Sequence, residues 1–149
     1  MNALARLVGP LVRPRPGLVA WGVLLFLGSS VPVPEGPPVD FPLGVDKIVH
    51  CLAYALLAVL AVRVVWRAGM PWWLVAAAAL GATAYGALLE GWQALLGNRG
   101  CELGDGIANA IGATVGAGLA AGAYVERRAR ARRGKEPAGH GERQRRETD

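Results

Sequence analysis

The stretch from Glu90 to Asn109 places several polar side chains inside an otherwise apolar sequence. Glu90 and Gln93 are three residues apart, and Asp105 and Asn109 are four residues apart, with Arg99 in a short turn between the two pairs. Residues at these spacings share one face of a helix. Because an ionisable group in an apolar segment is costly, each is a candidate functional group. Carboxylates can exchange protons, and a guanidinium can bind a phosphate or carboxylate through two hydrogen bonds.

A second polar group precedes this stretch. Asp46, His50 and Tyr54 follow one another at intervals of four residues, which places them on a single helix face, and Lys47 follows Asp46 directly. A histidine beside carboxylates could transfer protons near neutral pH or bind a metal ion. The sequence has neither a His-x-x-x-His pair nor cysteines at a metal-ligand spacing, so we predict no bound metal and no cofactor.

Composition and its distribution indicate a membrane protein. The chain has 149 residues, of which 53% are hydrophobic, and the apolar residues fall in long runs while the charges collect at the ends. Its 21 glycines are many for a soluble helical protein, but glycine is frequent where helices pack in lipid. We therefore predict an all-α integral membrane four-helix bundle. The predicted spans cover about residues 17–33, 47–66, 72–96 and 103–124.

The two ends of the chain are predicted to lie outside the membrane domain of residues 17–125. Residues 1–16 form a basic lead-in whose prolines discourage a helix before Gly17. The lead-in and the first apolar run resemble a signal peptide, but no clear cleavage site follows, so we interpret the run as an uncleaved first span. Residues 126–149 are rich in Arg, Glu and Gly, which predicts a disordered basic tail without a specific nucleic-acid partner.

The distribution of Lys and Arg predicts the orientation. Basic residues collect in the lead-in, in the turn with Arg63 and Arg67, and in the C-terminal tail, whereas the other two connections hold only Lys47 and Arg99. With four spans, the basic-rich segments share one side, so both termini are predicted to be cytoplasmic. The connections 34–46 and 97–102 then face outward, and the polar candidates share the outer half of the bundle. Cys51 and Cys101 fall near the same face, where a disulfide would require Cα atoms within about 7 Å.

Small residues continue the stripe that carries Asp105 and Asn109. Gly112 and Gly116 follow at intervals of three and four residues, so a Gly-x-x-x-Gly pair shares the face of the acid and the amide. Small residues at this spacing let helix backbones approach closely, so this face is predicted to meet another helix. A second pair, Gly118 and Gly122, lies on a neighbouring face and is also predicted to pack helices.

Several of these motifs recur in order on successive predicted spans. They are Asp46-Lys47-x-x-His50-x-x-x-Tyr54, Glu90-x-x-Gln93, Arg99, and Asp105-x-x-x-Asn109-x-x-Gly112-x-x-x-Gly116. In this order, and over about residues 17–125, the chain resembles the VanZ-like family of small membrane proteins. The resemblance implies a multi-span protein of the bacterial inner membrane and a link to resistance against glycopeptide antibiotics, chiefly teicoplanin. It implies no particular biochemical activity. The turn Cys101-Glu102 departs from the family, whose members often have a small polar residue between the Arg and the Asp.

The sequence leaves three functions open. We favour an outward-facing site for an amphiphilic cell-envelope ligand, such as a lipid-linked wall precursor or a lipoglycopeptide antibiotic. His50 and the carboxylates could instead be acid–base catalysts acting on a lipid-linked phosphate or wall intermediate. The same residues could also form a purely structural network between helices. The lipid bilayer is the partner common to all three, and the oligomeric state is left open.

Overall fold

The computed structural model describes residues 14–31, 44–66, 71–97 and 102–134, and over these residues the chain is all-helical. The four helices of this part of the chain are α1 (Pro14–Ser30), α2 (Val45–Val65), α3 (Trp73–Leu96) and α4 (Leu103–Arg133). The prediction of an all-α chain is confirmed for them. Three of these helices, α2, α3 and α4, are long and apolar enough to cross a membrane.

Helix α1 begins earlier than the prolines of the lead-in suggested. Its first residue is Pro14, three residues before the predicted start at Gly17, and its last is Ser30. Proline is tolerated in the first turn of a helix because the N–H it lacks would have no intrahelical partner there. The prediction that these prolines exclude a helix before Gly17 is therefore wrong for Pro14 to Pro16.

Glycines mark two of the helix ends that flank the polar residues. Gly44 precedes α2 with a positive φ of 57°, and Asp46 lies in the first turn of that helix rather than at its cap. An acid in the first turn interacts favourably with the positive end of the helix dipole. Gly97 follows α3 with φ 67° and donates its backbone N–H to the carbonyl oxygen of Ala94. Such a left-handed residue favours glycine and ends the helix.

Helix α4 extends well beyond its predicted end near Tyr124 and reaches Arg133. Residues 126–133, predicted as part of a disordered tail, are instead its last two turns. Alanine and arginine favour helix, and Glu126 forms an ion pair with Arg130 one turn later. Basic side chains in the last turn also interact favourably with the negative end of the helix dipole. The rest of the predicted tail, residues 135–149, lies outside the described residues.

The tightest packing in the fold joins α2 to α4 through glycine. A Cβ atom built on Gly112 would lie 2.9 Å from the Cα of Cys51, and one built on Gly116 would lie 2.7 Å from the Cα of Ala55. Real Cβ atoms do not approach other atoms this closely, so only glycine allows the two backbones to meet as they do. The buried core around this contact consists mostly of small residues: Tyr54, Leu57, Ala58, Val62, Ala78, Ala82, Ala113 and Ala117.

The second glycine pair does not pack against any described helix. Gly118 and Gly122 are exposed, and a Cβ atom on either would meet no described atom within 4 Å. Gly118 is two residues beyond Gly116, which rotates it by ~200° around the helix axis and away from α2. No described helix therefore packs against Gly118 or Gly122, and a packing role for this pair stays a prediction.

Helix α1 packs against α2 and α3. The indole N–H of Trp21 donates to the carbonyl oxygen of Ala53 at 2.9 Å, and the hydroxyl of Tyr85 donates to the carbonyl oxygen of Gly22 at 2.7 Å. Both acceptors are backbone groups of other helices. These two bonds fix the position of α1, which supplies one wall of the cavity described below.

The surface of the bundle is unusually apolar. Many large hydrophobic side chains are exposed along the lengths of the helices while alanines and glycines occupy the interior. Examples from all four helices are Val19, Leu24, Leu52, Leu80, Leu88, Ile107, Ile111, Val115 and Leu119. Exposed hydrophobic side chains in this number are typical of a surface that contacts lipid or another apolar partner. The bundle thus has the outer surface expected of helices in lipid.

Candidate functional site

The packing of the helices brings the predicted polar residues to one end of the bundle. Asp46 and His50 come from the start of α2, Glu90 and Gln93 from the end of α3, and Asp105 and Asn109 from the start of α4. Consecutive helices run in opposite directions, so the end of α3 lies beside the starts of α2 and α4, which are parallel to each other. Two of these carboxylates and the amide are buried, with exposed fractions of 8% for Glu90, 7% for Asp105 and 1% for Asn109.

Asn109 is the centre of a hydrogen-bonded chain that crosses three helices. Its side-chain NH₂ donates to Oε1 of Glu90 at 2.7 Å, and its Oδ1 lies 3.0 Å from Nδ1 of His50. An amide oxygen can only accept, so Nδ1 of His50 carries the proton in this bond. The amide therefore sets the tautomer of the imidazole and leaves Nε2 to face away from Asn109.

Nε2 of His50 faces two carboxylates. It lies 3.9 Å from Oδ1 of Asp46, one turn earlier on α2, and 3.9 Å from Oδ2 of Asp105 on α4. One ligand-type atom from each of these three residues lies within 4.8 Å of the other two. Histidine nitrogen and carboxylate oxygen are donors that hold divalent metal ions in proteins.

Lys47 lies on the outer side of the same group. Its Nζ is 2.8 Å from Oε1 of Glu102 and 3.5 Å from Oδ1 of Asp105. Asp105 thus faces Lys47 with one oxygen and His50 with the other. Both partners of Lys47 therefore belong to the start of α4.

Tyr54 and Gly86 lie next to the side chains of His50 and Asn109. The ring of Tyr54 stacks near that of His50, with centroids 6.3 Å apart and planes at 19°. A Cβ atom on Gly86 would lie 2.8 Å from Nδ2 of Asn109 and 3.0 Å from Cε1 of Tyr54. Glycine at this position on α3 therefore makes room for both the amide and the ring.

A cavity of about 250 Å³ opens beside the cluster, between α1, α2 and α3. Its lining combines polar and apolar residues. The polar part is formed by Ser29, Asp46, His50, Tyr54, Glu90 and Gln93, and the remainder by Leu24, Leu25, Gly28, Val49, Ala53 and Leu89. A molecule with a polar group joined to an apolar chain would match both parts.

The structure gathers most of the predicted site and adds residues that were not predicted. One end of the bundle brings together eight of the predicted residues: Asp46, Lys47, His50, Tyr54, Glu90, Gln93, Asp105 and Asn109. Arg99 and Cys101 lie outside the described residues. Gly86 was missed, although it precedes Glu90 by one helical turn and therefore shares its face. Glu102 was noted only as a departure from a family pattern, and its pairing with Lys47 carries no local sequence signal.

Comparison of the chain with protein-family models, curated proteins and solved structures finds no match.

Proposed function

We propose that this chain is a four-span membrane protein that holds an amphiphilic cell-envelope ligand in the cavity between α1, α2 and α3. The observation that carries the proposal is the mixed lining of that cavity, in which Asp46, His50, Glu90 and Gln93 supply polar groups and Leu24 and Leu25 supply apolar surface. Ligand sites in proteins combine apolar walls with a few convergent polar groups in this way.

The apolar surface and the helix lengths support a membrane location. Helices α2, α3 and α4 have 21, 24 and 31 residues, and each contains an apolar stretch long enough to cross the ~30 Å core of a bilayer. Helix α1 has 17 residues, which is at the lower limit for a span. Its fixed contact with α2 and α3 through Trp21 and Tyr85 supports its inclusion as the first span.

The charge distribution supports an orientation with both termini in the cytoplasm. The end of the bundle opposite the polar cluster carries a second cavity, lined among others by Trp66, Trp72, Tyr124, Arg128 and Arg132. Tryptophan and tyrosine favour the membrane interface, and arginine is enriched on its cytoplasmic side. The polar cluster is then at the outer face, where envelope precursors and antibiotics arrive.

Reporter fusions should reveal this orientation. Alkaline phosphatase joined after Gly97 should be active, because the enzyme matures only outside the cytoplasm, and green fluorescent protein joined after Asp149 should fluoresce. Alkaline phosphatase joined after Gly69, in the turn near Arg67, is the matched control and should be inactive. The reverse pattern of activity at Gly97 and Gly69 would contradict the proposed topology.

The ligand class follows from the chemistry of the cavity and from the resemblance to the VanZ-like family. We propose that a phosphate or sugar head group meets His50 and Gln93 while the attached chain lies along α1 and the surrounding lipid. Lipid-linked wall precursors and the lipoglycopeptide teicoplanin both combine these two parts. Membership of the VanZ-like family, with a role in teicoplanin resistance, is part of this proposal and has the motifs from Asp46 to Gly116 as its support.

Native mass spectrometry in lipid nanodiscs should detect the ligand directly. With undecaprenyl phosphate and with teicoplanin as separate probes, we expect the wild-type chain to retain one copy of at least one probe. Gln93→Leu should weaken that binding about tenfold, equivalent to ~1.4 kcal/mol, because it removes a polar group from the lining and keeps its bulk.

Thr83→Val is the matched control for Gln93→Leu. It removes a polar group from the same helix, and the hydroxyl it removes bonds the carbonyl oxygen of Ala79 in its own helix. We expect binding like that of the wild type. Retention of neither probe above bulk lipid, or an equal loss in Thr83→Val and Gln93→Leu, would rule out the proposed site.

A further inference from the structure

The group formed by Asp46, His50 and Asp105 has the composition of a metal-binding site. Its donors come from one turn of α2 and from the first turn of α4, and they lie within 4.8 Å of one another. Zinc is bound by histidine nitrogen and carboxylate oxygen at about 2.0–2.2 Å, which places the donors of a tetrahedral shell ~3.4 Å apart. The separations of 3.9 Å between Nε2 of His50 and each carboxylate are close to this value.

The hydrogen bond from His50 to Asn109 prepares the imidazole for a cation. With the proton on Nδ1, the lone pair of a neutral imidazole is on Nε2 and faces the two carboxylates. A lone pair opposite two negative charges is unfavourable unless a positive charge lies between them. Metal-binding histidines commonly donate their other ring N–H to an oxygen acceptor in this way, which fixes the ring and its tautomer.

Carboxylates from two helices face the same ring nitrogen of His50. Asp46 and Asp105 both lie 3.9 Å from its Nε2, and the other oxygen of Asp105 faces Lys47, which also pairs with Glu102. A cation bound by Asp46, His50 and Asp105 would leave Lys47 with Glu102 and the outer oxygen of Asp105.

We propose that Asp46, His50 and Asp105 bind one divalent cation of the zinc class, with Asn109 orienting the histidine. Three protein ligands leave a fourth position open, as in zinc sites that bind water or a substrate. Asp46 and His50 also line the cavity between α1, α2 and α3, so the open position is next to it. The cation site stands independently of any amphiphile, since its ligands all belong to the chain.

Isothermal titration of the full-length protein in detergent, with its affinity tag removed, tests the site with ZnCl₂ as the probe. We expect one Zn²⁺ per chain, and we expect His50→Gln and Asp105→Asn each to weaken binding by more than about 100-fold. The chain has two histidines, and the second, His140, provides the matched control. His140→Gln should bind Zn²⁺ as the wild type does.

Three results would overturn the proposal. If the wild type takes up no Zn²⁺, Asp46, His50 and Asp105 do not form a zinc site. If His140→Gln loses as much affinity as His50→Gln, the ion is bound elsewhere. If the site variants fail to fold, X-ray absorption of the Zn²⁺-loaded wild type tests the proposal instead. Nitrogen and oxygen ligands at about 2.0–2.2 Å support the site. Sulfur ligands at about 2.3 Å would assign the ion to cysteine and contradict the proposal.

Discussion

Gly112→Ala is expected to be among the most destabilising single substitutions in this chain. The added Cβ atom would lie 2.9 Å from the Cα of Cys51 and would also meet the carbonyl group of that residue. Backbone atoms cannot rotate away as a side-chain tip can, so α2 and α4 would have to separate along their main contact. Overpacking a core costs about 1–3 kcal/mol, and we expect a loss of folding free energy at the top of that range.

Gly118→Ala is the matched control on the same helix. A Cβ atom on Gly118 meets no described atom within 4 Å, so the same chemical change should leave stability close to that of the wild type. Thermal melting in detergent and abundance in the membrane measure both variants. Equal losses for Gly112→Ala and Gly118→Ala would contradict the packing of α2 against α4.

Asn109→Leu is expected to have the second large effect, because it removes two hydrogen bonds at the centre of the site. The leucine is similar in size to asparagine, but it can neither donate to Glu90 nor accept from His50. Hydrogen bonds between membrane helices contribute roughly 0.6–2 kcal/mol each, and bonds to a charged group are among the stronger ones. We therefore expect a loss of about 2–3 kcal/mol in the free energy of unfolding, with weaker Zn²⁺ binding.

Thr114→Val provides the control for Asn109→Leu. The hydroxyl of Thr114 is exposed and bonds the carbonyl oxygen of Ala110 in its own helix, so its removal should change stability little. A double-mutant cycle that combines Asn109→Leu with His50→Phe should show a coupling of about 0.5–3 kcal/mol, since the two side chains are in direct contact. Strictly additive effects would mean that the bond between them contributes nothing.

Local sequence signals place some of the helices and helix faces correctly and misplace one helix end. The positions of α2 and α3 follow from long apolar runs interrupted by Gly and Pro, because these signals are local. The predicted end of α4 was wrong, because the charged composition of 126–133 is typical of a disordered tail. The ion pair between Glu126 and Arg130 and the alanines and arginines of this segment favour a helix instead. The pairs Asp46 and His50, and Asp105 and Asn109, were correctly placed on shared helix faces, because helical spacing is also local.

The sequence does not predict which side chains meet between helices. Nothing local indicates that Asp105 lies beside His50, that Lys47 pairs with Glu102, or that Asn109 joins Glu90 to His50. Each contact depends on how close two helices come and how each is rotated about its axis. The glycine contacts on Cys51 and Ala55 set both quantities for α2 and α4.

The stretch from Glu90 to Asn109 shows the difference between what local sequence and what helix packing specify. Residue order is enough to predict that polar groups interrupt apolar helices there, because the type and spacing of side chains are local properties. The burial of Asn109 between Glu90 and His50, and the approach of Asp105 to Asp46 and His50, depend on how the helices pack. The reason is physical: the rotation that aims a side chain at its partner is fixed by packing between helices distant in sequence, and no local pattern encodes that angle.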